Sequence, residues 1–127
     1  MPGGSAKKLL RLSNKRKQAK NLNANSKLSR KRQHIYIIDD DTYHTIHKFG
    51  ISSGIINKDG SSRRARGQLP TVRRLFNIKA STGPVIYRNL ENRIIALAVE
   101  HALVCAYYHA NGKQNPEGNK LPKCQVQ

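Results

Sequence analysis

Residues 34–127 predict an α+β domain, a small antiparallel sheet of about three strands with helices packed on it. Three observations carry that expectation. Two runs rich in β-branched and aromatic residues lie on either side of an acidic turn, at 34–38 and 42–51. An arginine-bearing stretch follows the serine pair Ser61-Ser62, and a run from Glu91 to Tyr108 is apolar at helical spacing.

Taken in order, His34-Ile35-Tyr36-Ile37-Ile38 is a short strand that runs into Asp39-Asp40-Asp41, read as a solvated turn. Thr42 to Ile51 alternates as its antiparallel partner, and Ser52-Ser53-Gly54 and Asn57-Lys58-Asp59-Gly60 are turn signals. Ser61 or Ser62 caps a helix carrying Arg63, Arg64, Arg66 and Gln68, expected to break near Pro70. Thr71 to Ile78 then forms a second helical piece with Val72, Leu75 and Phe76 inward, and Pro84 to Arg88 is the third strand. In the last helix Ile94, Ala98, Ala102 and Cys105 or Ala106 follow i, i+4 spacing, as do Ile95, Val99, Leu103 and Tyr107, which predicts a central helix packed on the sheet. Asn111-Gly112 ends it, and an irregular tail follows.

The net charge of +17 is unevenly placed, with eleven Lys or Arg and no acid in residues 1–33. Such a segment repels itself and buries too little apolar surface to offset chain entropy, so it reads as a basic linker or arm with a transient helix at Ala6 to Leu12. The charge predicts attraction to a polyanion, nucleic acid first and an acidic protein second. No apolar stretch approaches the roughly 20 residues that span a bilayer, and no signal-peptide core is present. With only Cys105 and Cys124, a disulfide scaffold is not expected and a reducing workplace fits as well as any.

Glu100 stands alone as a carboxylate inside Ile94 to Val104, where a charge is costly unless a cation or a hydrogen-bond network receives it. Around it in sequence lie Tyr36 on a strand, Lys48-Phe49-Gly50-Ile51-Ser52-Ser53-Gly54, Asp59-Gly60-Ser61-Ser62, Arg64-Ala65 with Gln68, Ala98-Val99-Glu100 and Pro116-Glu117-Gly118-Asn119-Lys120. In that order these residues resemble the GIY-YIG nuclease superfamily, and more narrowly the C-terminal nuclease toxin domains of bacterial polymorphic toxins. The resemblance covers residues 34 to about 122. It departs from the family where His34-Ile35-Tyr36 replaces Gly-Ile-Tyr, where Lys48-Phe49-Gly50 replaces Tyr-Ile-Gly, and where Gln68 stands for a His or Tyr.

The resemblance implies a metal-dependent endonuclease with Tyr36, Lys48, Arg64, Gln68, Glu100 and Asn119 as its catalytic set. Glu100 would hold one Mg²⁺, or Mn²⁺, whose remaining positions water and phosphate oxygens fill. Arg64 offers a planar fork to phosphate and Lys48 a point charge. Tyr36 would orient the attacking water, and general-base work would rest on Tyr36 or on a solvent or metal-bound hydroxide; Gln68 would brace the phosphate and Asn119 hydrogen-bond Glu100 or its water shell. The implied substrate is DNA in preference to RNA. The implied partners are an acidic immunity protein and a larger carrier polypeptide that delivers the domain into the target-cell cytoplasm.

Other readings stand beside these. Glu100 pairs with Arg64, Tyr36 is a half-buried strand residue, Arg63 or Arg66 replaces Arg64, and Asn119 satisfies a turn. His101, Cys105 and His109, at i, i+4 and i+8, form a zinc face. The whole protein is then a non-catalytic, ribosome-associated binder of nucleic acid or a zinc-stabilised interaction domain.

Overall fold

The computed structural model describes residues 26–125, so the basic arm before residue 26 and the helix expected at Ala6 to Leu12 lie outside the described residues. Strand β1 (Gln33–Asp40) pairs antiparallel with β2 (Thr45–Ser52), bringing Tyr36 opposite Gly50 and Ile38 opposite Lys48. The acids do more than make a solvated turn. Asp39 and Asp40 belong to β1, and Asp40 is buried because its Oδ1 accepts from the amides of Thr42 (2.9 Å) and Tyr43 (3.0 Å).

Helix α1 (Arg63–Phe76) begins at Ser62, whose Oγ accepts from Ala65 N. Pro70 does not break it: the proline and Arg66 both face solvent, so the Arg66 carbonyl that loses its helical donor can meet water. Because the helix is continuous, the buried stripe runs through Ala65, Leu69 and Val72, and Leu75 falls roughly a quarter-turn away. Leu75, expected inward, is therefore exposed, and Phe76 covers the His47 ring from the helix end at a centroid distance of 4.4 Å.

Two short strands complete the sheet. β3 (Ala80–Ser81), too short to leave a periodic signal, pairs with Asp39 and Asp40. β4 (Tyr87–Leu90) pairs with the start of β1 and lies slightly later than the strand expected from Pro84. The described residues thus form a four-stranded antiparallel sheet with two helices, an α+β fold.

Helix α2 (Arg93–Ala110) is capped by Asn92, whose Oδ1 accepts from Ile95 N at 2.9 Å. It packs on the sheet through one stripe, Ala96, Glu100, Val104 and Tyr108, while Ile94, Ala98, Ala102 and Ala106 face solvent. The helix is thus a flank and not central, since its outer face is mostly alanine and offers little area to bury. Along β1, Tyr36 and Ile38 join α1 in one core, whereas Ile35 and Ile37 meet the α2 side, so alternate residues of the strand feed opposite layers.

The packed part also begins before residue 34: Gln33 is in the sheet, and the Ser29 carbonyl accepts from Arg93 N. Cys105 and Cys124, expected as separate thiols, are joined in a disulfide because the tail folds back until their Cα atoms lie 4.9 Å apart. No helix among the described residues is long and apolar enough to cross a membrane.

Candidate functional site

β2 is an edge strand, and an open cleft of about 790 Å³ lies beside it, lined from both layers and from the tail. Tyr36, Lys48 and Arg64 come from the α1 side, Glu100, Arg93 and Leu97 from α2, and Gly118 to Pro122 from the tail. Five of the six residues singled out in the sequence line it, and Gln68 joins through hydrogen bonds.

Gly50 makes room for this arrangement. A methyl group built there would overlap the Tyr36 ring, so the third residue of Lys48-Phe49-Gly50 has to lack a side chain for the phenol to lie across the strand. Tyr36 is fully buried, not half-buried, yet its end reaches the cleft. Burial pushes its pKa above the ordinary 10.0, outweighing Gln68 and Arg64, which pull it down.

The chemistry of the donors fixes the Gln68 amide. Lys48 Nζ can only donate, so Gln68 Oε1 faces it at 3.2 Å, and Gln68 Nε2 then donates to the Tyr36 hydroxyl at 3.0 Å. The phenol accepts from Gln68 and keeps its own hydrogen to donate. Gln68 therefore holds Tyr36 and Lys48 to each other. Burial, with Arg64 nearby, pulls the Lys48 pKa below 10.5.

Glu100 is 6% exposed, and none of the hydrogen bonds or ion pairs among the described residues involves its carboxylate. The pair with Arg64 is not formed, since both side chains open separately to the cleft. Burial pushes the Glu100 pKa from 4.5 to about 7, against the opposing pull of Arg93 and Lys48. A carboxylate so placed, without a hydrogen bond or ion pair among the described residues and facing an open cleft, suits one hard divalent ion that keeps most of its waters. Among the described residues no three His, Cys, Asp or Glu side chains gather as a metal-binding group, so water and substrate oxygens would complete any shell at Glu100.

Asn119 makes no hydrogen bond to Glu100, because both ends of its amide are taken by the backbone. Its Oδ1 accepts from Phe49 N (2.9 Å) and its Nδ2 donates to Phe49 O (3.0 Å), so the amide closes the free edge of β2 where no strand does. Gly118 N adds a bond to His47 O at 2.7 Å, and a methyl on Gly118 would overlap the His47 ring. The tail is thereby pinned as one wall of the cleft.

Of the three arginines, Arg66 is held by Asp59 at 2.6 Å and by Ser61 Oγ at 2.7 Å, which ties the loop before α1 to the helix. Arg64 lines the cleft and neither Arg63 nor Arg66 does. His34 Nε2 meets Ser62 Oγ at 2.8 Å in a buried contact that fixes the helix cap. The zinc face fails because the Cys105 sulfur is bonded to Cys124 and is no thiolate.

Comparisons with protein-family models, with curated proteins and with solved structures find no match.

Sequence reasoning missed Lys27, Arg93 and Lys120 as members of the site. Lys27 lay in the segment read as an arm. Arg93 sits seven residues before Glu100, two turns away on the same helix face, a spacing that could have drawn it in. Its Nε is buried without a hydrogen-bond partner among the described residues, and its Nη1 makes a long 3.5 Å bond to Gln33 Oε1.

Proposed function

We propose that the protein is a GIY-YIG-like, metal-dependent endonuclease, with DNA as its preferred substrate. The observation that carries this reading is Glu100: a buried carboxylate with no partner among the described residues, opening into a cleft with five cations, Lys27, Lys48, Arg64, Arg93 and Lys120. A structural ion pair would not leave it so, whereas a site that recruits a divalent ion and a phosphodiester needs it in that state. The ion, Mg²⁺ or Mn²⁺, would be held by Glu100 and would supply charge compensation at the leaving oxygen.

The remaining steps belong to the side chains. Arg64 grips the phosphate through its planar fork and Lys48 adds a point charge beside it. Tyr36, held by Gln68, donates its hydroxyl hydrogen to the attacking water or a phosphate oxygen and sets its direction. Asn119 keeps the wall of the cleft in place. The sequence resemblance extends the reading to a bacterial toxin domain, carried by a larger polypeptide and neutralised in its producer by an acidic immunity protein.

The charge of +17 also favours a second reading, a non-catalytic binder of nucleic acid. One experiment separates the two. Protein and Glu100→Ala variant are incubated with plasmid DNA and with total RNA, in Mg²⁺ and in EDTA. Cutting by the parent alone, in Mg²⁺ alone, supports the nuclease and names its substrate class. Salt-sensitive retention of both nucleic acids without cutting would sink it in favour of the binder.

A further inference from the structure

Leu121 is 84% exposed, the most exposed of the large apolar side chains described, and the only strongly exposed one among them that lines the basic cleft. A single exposed leucine on a loose loop would need no explanation. This one is held out by a braced loop. Asn115 Nδ2 donates to Cys124 O at 3.0 Å and Cys124 N donates to Asn115 Oδ1 at 2.8 Å, closing the loop at its base. The disulfide ties Cys124 to α2, Asn119 and Gly118 tie the other limb to β2, and Pro116 is buried beneath. Between these anchors the chain presents Lys120, Leu121, Pro122 and Lys123, and the first three border the cleft.

A ligand matching such a cleft combines negative charge with a flat apolar face. Five cations line it and one carboxylate opposes them, while Leu121, Pro122 and Leu97 supply apolar surface in the same opening. A nucleotide within a strand has both features, phosphate for the cations and a base for the apolar tip. Aliphatic and proline side chains at the rim of a phosphate-binding surface contact or part stacked bases in this way.

Resting on the nuclease reading above, we infer that Leu121 and Pro122 form a base-binding subsite, a rigid apolar wedge that seats a nucleobase flanking the phosphate held by Lys48 and Arg64. The wedge would unstack that base and favour cutting at steps that open easily. Leu121 is then a specificity-determining residue outside the catalytic set, and Lys120 the cation that carries the neighbouring phosphate.

The test titrates a DNA duplex containing 2-aminopurine with Glu100→Gln protein in EDTA, where no cutting occurs, and repeats it with Leu121→Ala and Leu121→Met on that background. Expected are a rise in 2-aminopurine fluorescence on binding, its loss with Leu121→Ala together with about five- to tenfold weaker binding, retention by Leu121→Met, and an unchanged salt slope. Matching urea midpoints for the three proteins show that the side chain does not hold the fold. Equal fluorescence and affinity for Leu121→Ala and its parent would overturn the subsite and leave the nuclease reading standing. A Leu121 effect in a protein whose Glu100 form cuts nothing would support the subsite while the nuclease reading fell, and no binding by any form would overturn the subsite.

Discussion

Replacing Glu100 by Gln should make the protein more stable while silencing it. The carboxyl has an ordinary pKa of 4.5 and is pushed to about 7 by burial. Between those values the unfolded chain has released the proton and the native protein still holds it, so the unfolded state binds fewer protons and stability falls as pH rises through the window. Below 4.5 both states are neutral and the effect vanishes; above about 7 both are ionised and the full penalty of the buried charge is present. The difference is on the order of 3 kcal/mol, reduced to about 2 kcal/mol because water in the open cleft screens the carboxylate. A glutamine keeps the shape, can bond cleft water and carries no charge. In EDTA at pH 8 the variant should therefore unfold at a midpoint about 1–2 M higher in urea, and at pH 4 the two proteins should coincide. A variant that is equal or less stable at pH 8 would show that Glu100 is structurally satisfied, and the argument for a recruiting carboxylate would fail.

Gly50→Ala should lower stability by about 1–3 kcal/mol, because its methyl overlaps the Tyr36 ring; an unchanged urea midpoint would show that the ring has room to move. Asn119→Ala removes two bonds to the buried Phe49 peptide and should cost about 2–3 kcal/mol, with faster hydrogen exchange at the Phe49 amide as the local readout. Exchange that stays slow would mean that another group closes the strand edge. The Cys105–Cys124 bridge spans 19 residues, so Cys124→Ser should lower stability by about 3 kcal/mol, and a thermal midpoint indifferent to the change would count against the bridge.

Much of the fold was legible because it rests on local signals. The hairpin follows from two period-2 runs, the cap of α1 from Ser62, and α2 from its 3.6-residue pattern. What failed was tertiary. Pro70 is tolerated because its side of the helix is wet, and a continuous α1 turns Leu75 outward, neither of which is written in the local sequence. Two residues are too few for β3 to announce itself, and the disulfide depends on a fold-back of the tail that no spacing specifies. At the site, single polar residues in apolar or patterned surroundings were readable. Most of their partners were not: Arg93 was within reach of the helical spacing, but Lys27 needed the return of the chain past α2 and the amide of Asn119 the open edge of β2.

The glutamine at position 68 decides how Tyr36 can act. A histidine or tyrosine there could pass a proton in either direction, but an amide cannot, and Lys48 sets its orientation. With its pKa raised, the phenol stays protonated at neutral pH, so it is a poor base there, and with its oxygen already accepting from Gln68 it keeps its hydrogen to donate. In the proposed reaction it positions the water and does not deprotonate it, so solvent hydroxide or the phosphate must take that part. Activity should then rise with pH through about 7 as Glu100 ionises and binds the ion, and go on rising more gently above it. Tyr36→Phe should lower the rate at every pH without moving the inflection, whereas a base would take its limb of the profile with it. Cleavage rates of the parent and Tyr36→Phe from pH 5.5 to 9 at a low, non-saturating Mg²⁺ concentration measure this, and a limb that disappears in the variant would make Tyr36 the base.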